Sequence, residues 1–315
     1  MLEYPCLTSD PSQANAIYVP YYGGLDSLKY LFGPEVNSSS QHGLDLYDFL
    51  VHVDLPSIWS RYYGHDHFMV MARPAWDFSQ PLFNDPIVFG TSFFELPEFY
   101  NVTALTIESR AYPWQEQAIP YPTSFHPPNL AFFESWVNRV RRSRRTTLML
   151  FAGGGGISAN PNVRRSIRLE CENVTSMSAD DTGYEKLCEF PTGDTQTRRS
   201  TLDGILAGCI PVFFEDLSAK KQYGWHLPEE KYEEFSVSIP KEDVFKGLKI
   251  LDVLTSIPRA QVRRMREKVL EMMPRVMYRK HGSSLGLRSK KDAFDIAIEG
   301  TLERIKSRLQ EVAAQ

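Results

Sequence analysis

A six-residue run, Thr146 to Phe151, leads into Ala152 and the four glycines Gly153 to Gly156, then into an Arg-rich helical stretch from about Val163 to Asn173. Strand, glycine turn and helix in that order open a Rossmann-like unit, because glycines let the backbone turn sharply and approach a ligand at the helix N-terminus. A flexible surface turn has the same glycine signature, so the run alone names no ligand. A helix over Arg198 to Ala207 and the apolar run Ile210 to Phe214 continue the pattern, the latter reading as a buried strand. Phe235 to Ile239 supplies another strand, and helices are expected over Asp243 to Leu254, Arg259 to Tyr278 and Asp292 to Val312.

The first half, to about Pro128, is rich in aromatics and prolines. Ala16 to Val19, His67 to Met71 and Ala104 to Ile107 read as buried strands, and Leu44 to Val53 as a short amphipathic helix. Ala131 to Arg145 is a basic helical stretch with five arginines from Arg139 onward, read as a solvated connector at the domain junction. The expected organisation is two α/β domains, 1–140 and 141–315, the second ending in closing helices.

Composition narrows the function classes. With 39 acidic and 35 basic residues in 315, the net charge of −4 disfavours a protein that wraps a nucleic-acid backbone. No window nears the ~20 apolar residues that span a bilayer, and Met1 to Pro5 lacks the basic-then-apolar layout of a signal peptide. Cys6, Cys171, Cys188 and Cys209 are too scattered for a disulfide scaffold, and no C-x-x-C pair points to structural zinc. The glycosylation acceptor triplets at Asn37, Asn101 and Asn173 suit a protein that matures in the secretory pathway, although such triplets also arise by chance.

The strongest constellation is Gly193-Asp194-Thr195-Gln196-Thr197-Arg198-Arg199-Ser200, set just before a helix. Unpaired N–H groups, the helix dipole, small hydroxyls and two guanidiniums make an anion site, with a diphosphate as the natural ligand. The bland alternative is that Asp194 or Thr195 caps the helix while the arginines face water. Asp203, further along the helix, would receive a sugar or ribose hydroxyl, and Arg164, Arg165 or Arg168 would support a phosphate. In the first half, Gly64-His65-Asp66-His67-Phe68 places two imidazoles and a carboxylate just before a strand. Proton transfer, substrate contact, backbone satisfaction at a strand edge and, least supported, metal ligation are all open. Arg73 with Trp76 and Asp77, and Trp114 beside Tyr112, offer aromatic platforms next to charges, although such rings also serve in cores.

Several long strings carry a resemblance: Ala16 to Tyr22, Gly64 to Phe68, Arg73 with Trp76 to Phe78, Ile119 to Pro127, Phe151 to Gly153, Ser166 to Arg168, Gly193 to Ser200, Ala207 to Phe214, Trp225 to Pro228 and Lys291 to Asp295. In these the chain resembles, nearly end to end, the exostosin-like glycosyltransferases of family 47, in their plant xyloglucan galactosyltransferase (Katamari-type) branch. The resemblance implies a GT-B architecture, in which an N-terminal acceptor domain and a C-terminal donor domain face each other across a cleft. It implies inverting, metal-independent transfer from a UDP-sugar, most readily UDP-galactose, to xyloglucan, in a Golgi membrane protein that partners other Golgi glycosyltransferases. By the same resemblance, Gly153, Arg168, Gly193, Asp194, Thr195, Thr197, Arg198, Arg199, Ser200 and Asp203 would hold the donor. Arg73, Trp76, Asp77 and Trp114 would hold the acceptor, and Asp66 or His67 would be the base. Two departures stand out. The chain starts inside the first domain, without the family's membrane anchor. It also passes from Leu187-Cys188-Glu189-Phe190 directly to Pro191-Thr192-Gly193, where the family has a buried strand. A donor domain missing one central strand is therefore expected, with a truncated, weakly active or inactive isoform as the alternative to an enzyme, unless Tyr184 to Phe190 supplies that strand.

Overall fold

Two all-parallel sheets of four strands organise the chain; the computed structural model describes residues 1, 4–54, 56–82, 89–110, 114–145, 148–151, 163–174, 187–189 and 197–314. One compact unit comprises residues 1–119 and 297–315, the other residues 120–296.

In the first unit, β1 (Ile17–Val19) is followed by the short helices α1 (Gly23–Asp26) and α2 (Leu28–Leu31), then by α3 (Leu44–Phe49) and α4 (Pro56–Tyr62). β2 (His67–Val70), β3 (Thr103–Thr106) and β4 (Glu116–Ala118) complete a sheet whose spatial order is its chain order. Ile17 lies opposite His67, Phe68 opposite Thr103 and Ala104 opposite Glu116, so every strand start is on one edge and every strand end on the other. The aromatic richness of this half goes into its core. Phe78, Phe93, Phe94 and Phe99 are fully buried, and the rings of Phe93 and Phe99 stack 4.4 Å apart. Each buried phenylalanine contributes about 1.5–3 kcal/mol, which lets strands of three or four residues anchor a sheet.

The second unit alternates regularly. α5 (Leu130–Arg142) precedes β5 (Met149–Phe151), α6 (Val163–Val174), β6 (Leu187–Glu189), α7 (Arg199–Leu206), β7 (Ile210–Phe213), α8 (Tyr232–Phe235) and β8 (Val237–Ser238). Then come α9 (Lys241–Phe245), α10 (Ile250–Ser256), α11 (Arg259–Val276), α12 (Leu285–Arg288) and α13 (Ala293–Ala313). The single helix expected over Asp243 to Leu254 is two, broken at Gly247, whose φ is +102°. Glu170 of α6 starts the second of them by accepting from the N–H groups of Ile250 (3.0 Å) and Leu251 (2.8 Å).

Three expectations are corrected. First, the sheet is continuous where a strand was expected to be missing. β6 lies between β5 and β7, with Cys188 opposite both Leu150 and Pro211. Ladder pairing uses backbone groups, so a strand forms without the apolar run that the sequence pattern demands. Second, the boundary lies at 119/120 rather than 140/141. The basic stretch is no free connector, because Arg145 donates to the Ala207 carbonyl (2.7 Å) and Trp136 to that of Leu206 (2.8 Å), closing the C-terminus of α7. Third, from residue 297 the last helix belongs to the first unit, where Arg304 donates to Gln117 Oε1 (2.6 Å) and Arg308 to Thr103 Oγ1 (3.0 Å). α13 itself starts with a reciprocal cap: Asp292 accepts from the Asp295 N–H (3.0 Å) and Asp295 from the Asp292 N–H (3.1 Å).

Among the described residues, no helix is long and apolar enough to cross a membrane. Cys209 is disulfide-bonded, and Cys6 is free and exposed.

Candidate functional site

In the second unit, α7 follows β6, so its N-terminus lies on the side of the sheet where the strands end. Arg198, in extended conformation (φ −144°, ψ 138°), precedes the first turn and provides no side-chain cap. The positive end of a helix attracts an anion; Asp194 and Thr195, the alternative caps, lie outside the described residues. Arg198 Nη1 donates to the Thr197 carbonyl (2.9 Å), and the buried Thr197 hydroxyl pairs with Tyr121 Oη (3.0 Å). Arg199 donates from Nη2 to Ser124 Oγ (2.7 Å) and from Nε toward Asp203 Oδ2 (3.2 Å). The Arg199–Asp203 pair is exposed and worth well under ~1 kcal/mol, so a phosphate could take the guanidinium at little cost. Asp203 is thus first a partner of Arg199.

Tyr121 and Ser124 join the site beyond the residues that the sequence pattern points to. Their signal was the string Ile119 to Pro127, whose hydroxyl side chains sit between prolines. That stretch is fastened by Tyr278 Oη donating to the Pro120 carbonyl (2.7 Å), His126 Nδ1 donating to the Tyr278 carbonyl (2.8 Å) and Lys280 N–H donating to the Pro127 carbonyl (3.1 Å). Arg168 is exposed on α6, one turn from Arg164. Gly153, Gly193, Asp194 and Thr195 lie outside the described residues.

In the first unit the expected site residues divide between opposite edges of the sheet. Asp66 is fully buried, accepting from Arg61 Nη2 (2.6 Å) and pairing with His67 Nδ1 (2.7 Å). Burial works to raise its pKa, but the bonds from His67 and Arg61 outweigh it and hold the carboxyl below its ordinary value. Arg61 also donates to the Pro11 carbonyl (3.1 Å). His67 packs edge-on to Trp59, with centroids 4.9 Å apart, and lines a cavity of about 350 Å³ walled by Leu46, Leu50 and Ile58. Asp66 and His67 lie at the start of β2. Trp114 is on the same edge, two residues before β4, T-stacked on Tyr100 at 5.4 Å.

Arg73, Trp76 and Asp77 follow the end of β2, on the opposite edge. The four residues of β2 advance about 10 Å between the two groups. Here Arg73 Nε and Nη2 both meet Asp77 Oδ2 at 2.7 Å, and Trp76 is exposed. Among the described residues, no group of three or more His, Cys, Asp and Glu side chains is placed to hold a metal ion. Asp66 and His67 are bonded to each other, and among the described residues His65 Nδ1 has no hydrogen-bond partner.

The chain's likeness to known proteins is extensive. The profile of the exostosin GT47 domain matches residues 1–254. The probable xyloglucan galactosyltransferase GT19 of Arabidopsis thaliana is 61% identical over 337 residues, covering 98% of this chain and 76% of that protein. Xyloglucan galactosyltransferase MUR3 of the same plant is 37% identical, covering 97% of this chain and 51% of its own length. Xyloglucan-specific galacturonosyltransferase 1, also of that plant, is 32% identical over 97% of this chain and 47% of its own length. The chain thus spans about three quarters of the first relative and about half of the other two.

Proposed function

The chain belongs to the exostosin GT47 family, and from that premise we propose that it moves galactose from UDP-galactose to a xylosyl branch of xyloglucan, inverting the anomeric centre. In this reading the enzyme is of the GT-B type, with the donor on the second unit and the acceptor on the first. The observation that carries it is the start of α7: a helix N-terminus whose first turn is preceded by Arg198 in extended conformation, with Arg199, Thr197 and Ser200 around it, on the side where the parallel strands end. A leaving diphosphate needs its growing charge stabilised, and guanidiniums with helix N–H groups supply that without a metal. Gly153, Arg168, Gly193, Asp194 and Thr195 complete the proposed donor set. Arg73, Trp76 and Asp77 form the acceptor side. The relatives' names support xyloglucan as acceptor and leave galactose and galacturonate as rival donors. The proposed setting is the Golgi lumen, alongside other glycosyltransferases. The disulfide at Cys209 and the exposed acceptor Asn37 are compatible with it.

The test is a screen of UDP-sugars against xyloglucan oligosaccharides with the purified chain. Galactose transfer is expected. Preferential transfer of galacturonate would reassign the donor, and no transfer from any UDP-sugar would refute the reading.

A second reading has its own observation. The match to the first relative runs over 337 residues against the 315 of this chain, so that relative carries residues inside the matched stretch without counterparts here. If they belong before Gly193, the chain is a shortened form with a weakened donor site, acting as a partner of full-length enzymes. Inserting the relative's extra residues would then raise both UDP affinity and melting temperature. No change in either would dismiss this reading.

A further inference from the structure

The end of β1 carries a polar chain that neither the donor nor the acceptor residues use. Tyr21 and Tyr22 follow β1 and lead into α1, and Asp26 closes that helix. Asp26 Oδ2 accepts from Tyr21 Oη at 2.7 Å; His42 Nε2 lies 2.8 Å from the same phenol oxygen and His42 Nδ1 2.9 Å from Thr91 Oγ1. The phenol has one proton, and it goes to the carboxylate. The network therefore assigns His42 Nε2–H as donor to Tyr21 and the Thr91 hydroxyl as donor to Nδ1. Burial pushes His42 down to about 4, despite Asp26, so the imidazole stays neutral and serves as a fixed strut. Tyr21 and His42 lock one oxygen of Asp26. The carboxylate itself remains 36% exposed, with Lys29 Nζ 3.3 Å from Oδ1.

The segments on either side of this carboxylate in the chain also expose aromatic rings. Tyr22 is 76% and Phe32 68% exposed, large values for rings in a unit that buries most of its phenylalanines. Phe32 meets Phe89 at 5.7 Å, and the Arg73 guanidinium lies 5.9 Å from the Phe32 ring. A Cβ on Gly24 would come within 2.5 Å of the Met71 carbonyl oxygen and 3.0 Å of Arg73 Cγ, so glycine there lets α1 lie against the Arg73 segment. Asp26, the aromatic shelf and the Arg73–Asp77 pair thus occupy one edge of the sheet. Asp66, His67 and Trp114 occupy the other.

We infer that Asp26, rather than Asp66 or His67, is the base that takes the acceptor proton, with Tyr21 and His42 as positioning residues and Tyr22 and Phe32 as stacking surfaces for the glycan. This rests on the proposed transferase reading. In the step, the acceptor O–H proton passes to Asp26 Oδ1 and the oxygen forms its bond to the anomeric carbon. The bond from that carbon to the diphosphate oxygen breaks, and its electron pair leaves with UDP. A carboxylate whose second oxygen is fixed presents the first in one orientation, which is what a base must do.

The experiment measures UDP affinity, xyloglucan oligosaccharide affinity and initial transfer rate for the full chain and for Asp26→Asn, Asp66→Asn, Tyr21→Phe and Tyr22→Ala. Asp26→Asn is expected to cut kcat at least 100-fold with UDP affinity unchanged. Asp66→Asn should lower the melting temperature and leave kcat of the folded protein near wild type. Tyr21→Phe removes a bond that holds the Asp26 pKa down, so the acid limb of the kcat profile should move to higher pH. The other titratable groups around Asp26 and Tyr21, namely Lys29, Tyr30, Glu35, His42 and Asp45, remain the same in that variant. Tyr22→Ala should weaken oligosaccharide binding about fivefold. Transfer by Asp26→Asn within threefold of wild type would overturn the assignment alone, as would loss of kcat in folded Asp66→Asn with Asp26→Asn active. A wild-type chain that binds UDP but neither binds nor glycosylates the oligosaccharide would refute the functional reading and this assignment together.

Discussion

In the first unit the segments leaving the ends of β1 and β2 carry carboxylates and exposed rings, whereas in the second the helix following β6 begins with guanidiniums and hydroxyls. The scaffolds are alike: four parallel strands in chain order, with connections leaving the same edge. The difference teaches that the sheet sets where a ligand can sit, while the side chains just past the strand ends set which chemistry it has. Carboxylates and rings suit a neutral glycan that must lose a proton. Arginines and helix N–H groups suit a leaving diphosphate.

The comparison breaks most visibly at Arg198. Arg198→Ala should weaken UDP binding at least 100-fold, about 2.8 kcal/mol, without changing oligosaccharide affinity or melting temperature. Unchanged UDP affinity by calorimetry in a folded variant would mean the cationic edge is not the donor site. A stability test comes next. Gly208 ends α7 at φ +72°, and a Cβ there would meet Val140 Cγ1 at 2.3 Å. Gly208→Ala should therefore cost about 2 kcal/mol in the second unit, seen as lost hydrogen-exchange protection of β7 with the first sheet unaffected.

Acid should act on both units. His42 and His226 are each pushed down to about 4, in both cases chiefly by burial. Between pH 6.5 and 4 the unfolded chain binds these protons and the folded chain does not, so stability is full above pH 6.5 and falls as pH drops toward 4. Each group contributes a slope of up to about 1.4 kcal/mol per pH unit. His226→Gln should flatten the urea-midpoint profile in that window for the second unit; an unchanged profile would show that another group carries it. Trp76→Ala should weaken oligosaccharide binding about fivefold, near 1 kcal/mol, while Trp114→Ala, on the opposite edge, should change it less than twofold. Equal effects would remove the distinction between edges. The smallest expected effect is that of EDTA: turnover should stay within about twofold, and loss restored by manganese would place a metal in the donor site.

Much of the candidate site rests on local pattern. The string Gly193 to Ser200 ahead of α7, whose residue types suit an anion, and the position of Gly64 to His67 just before a strand are both one-dimensional facts. Because strands run parallel in such a fold, that second position already places Asp66 and His67 at an amino edge. Tyr121 and Ser124 were less legible, since they reach α7 from a stretch more than seventy residues earlier. The polar chain from Thr91 through His42 and Tyr21 to Asp26 was not legible, as its members come from three separate segments.

By itself the sequence determined the α/β class, the order of most strands and helices, and the family, because these follow from short-range periodicity, turn residues and contiguous strings. Tertiary structure alone decided three things: that Leu187–Glu189 pairs as a central strand, that the last helix belongs to the first unit, and which acidic residues share an edge with the aromatic shelf. Each depends on backbone pairing or packing between residues far apart in the chain. Such pairing leaves no periodic trace, since ladder hydrogen bonds are made by backbone N–H and C=O groups that every residue carries, proline lacking only the N–H.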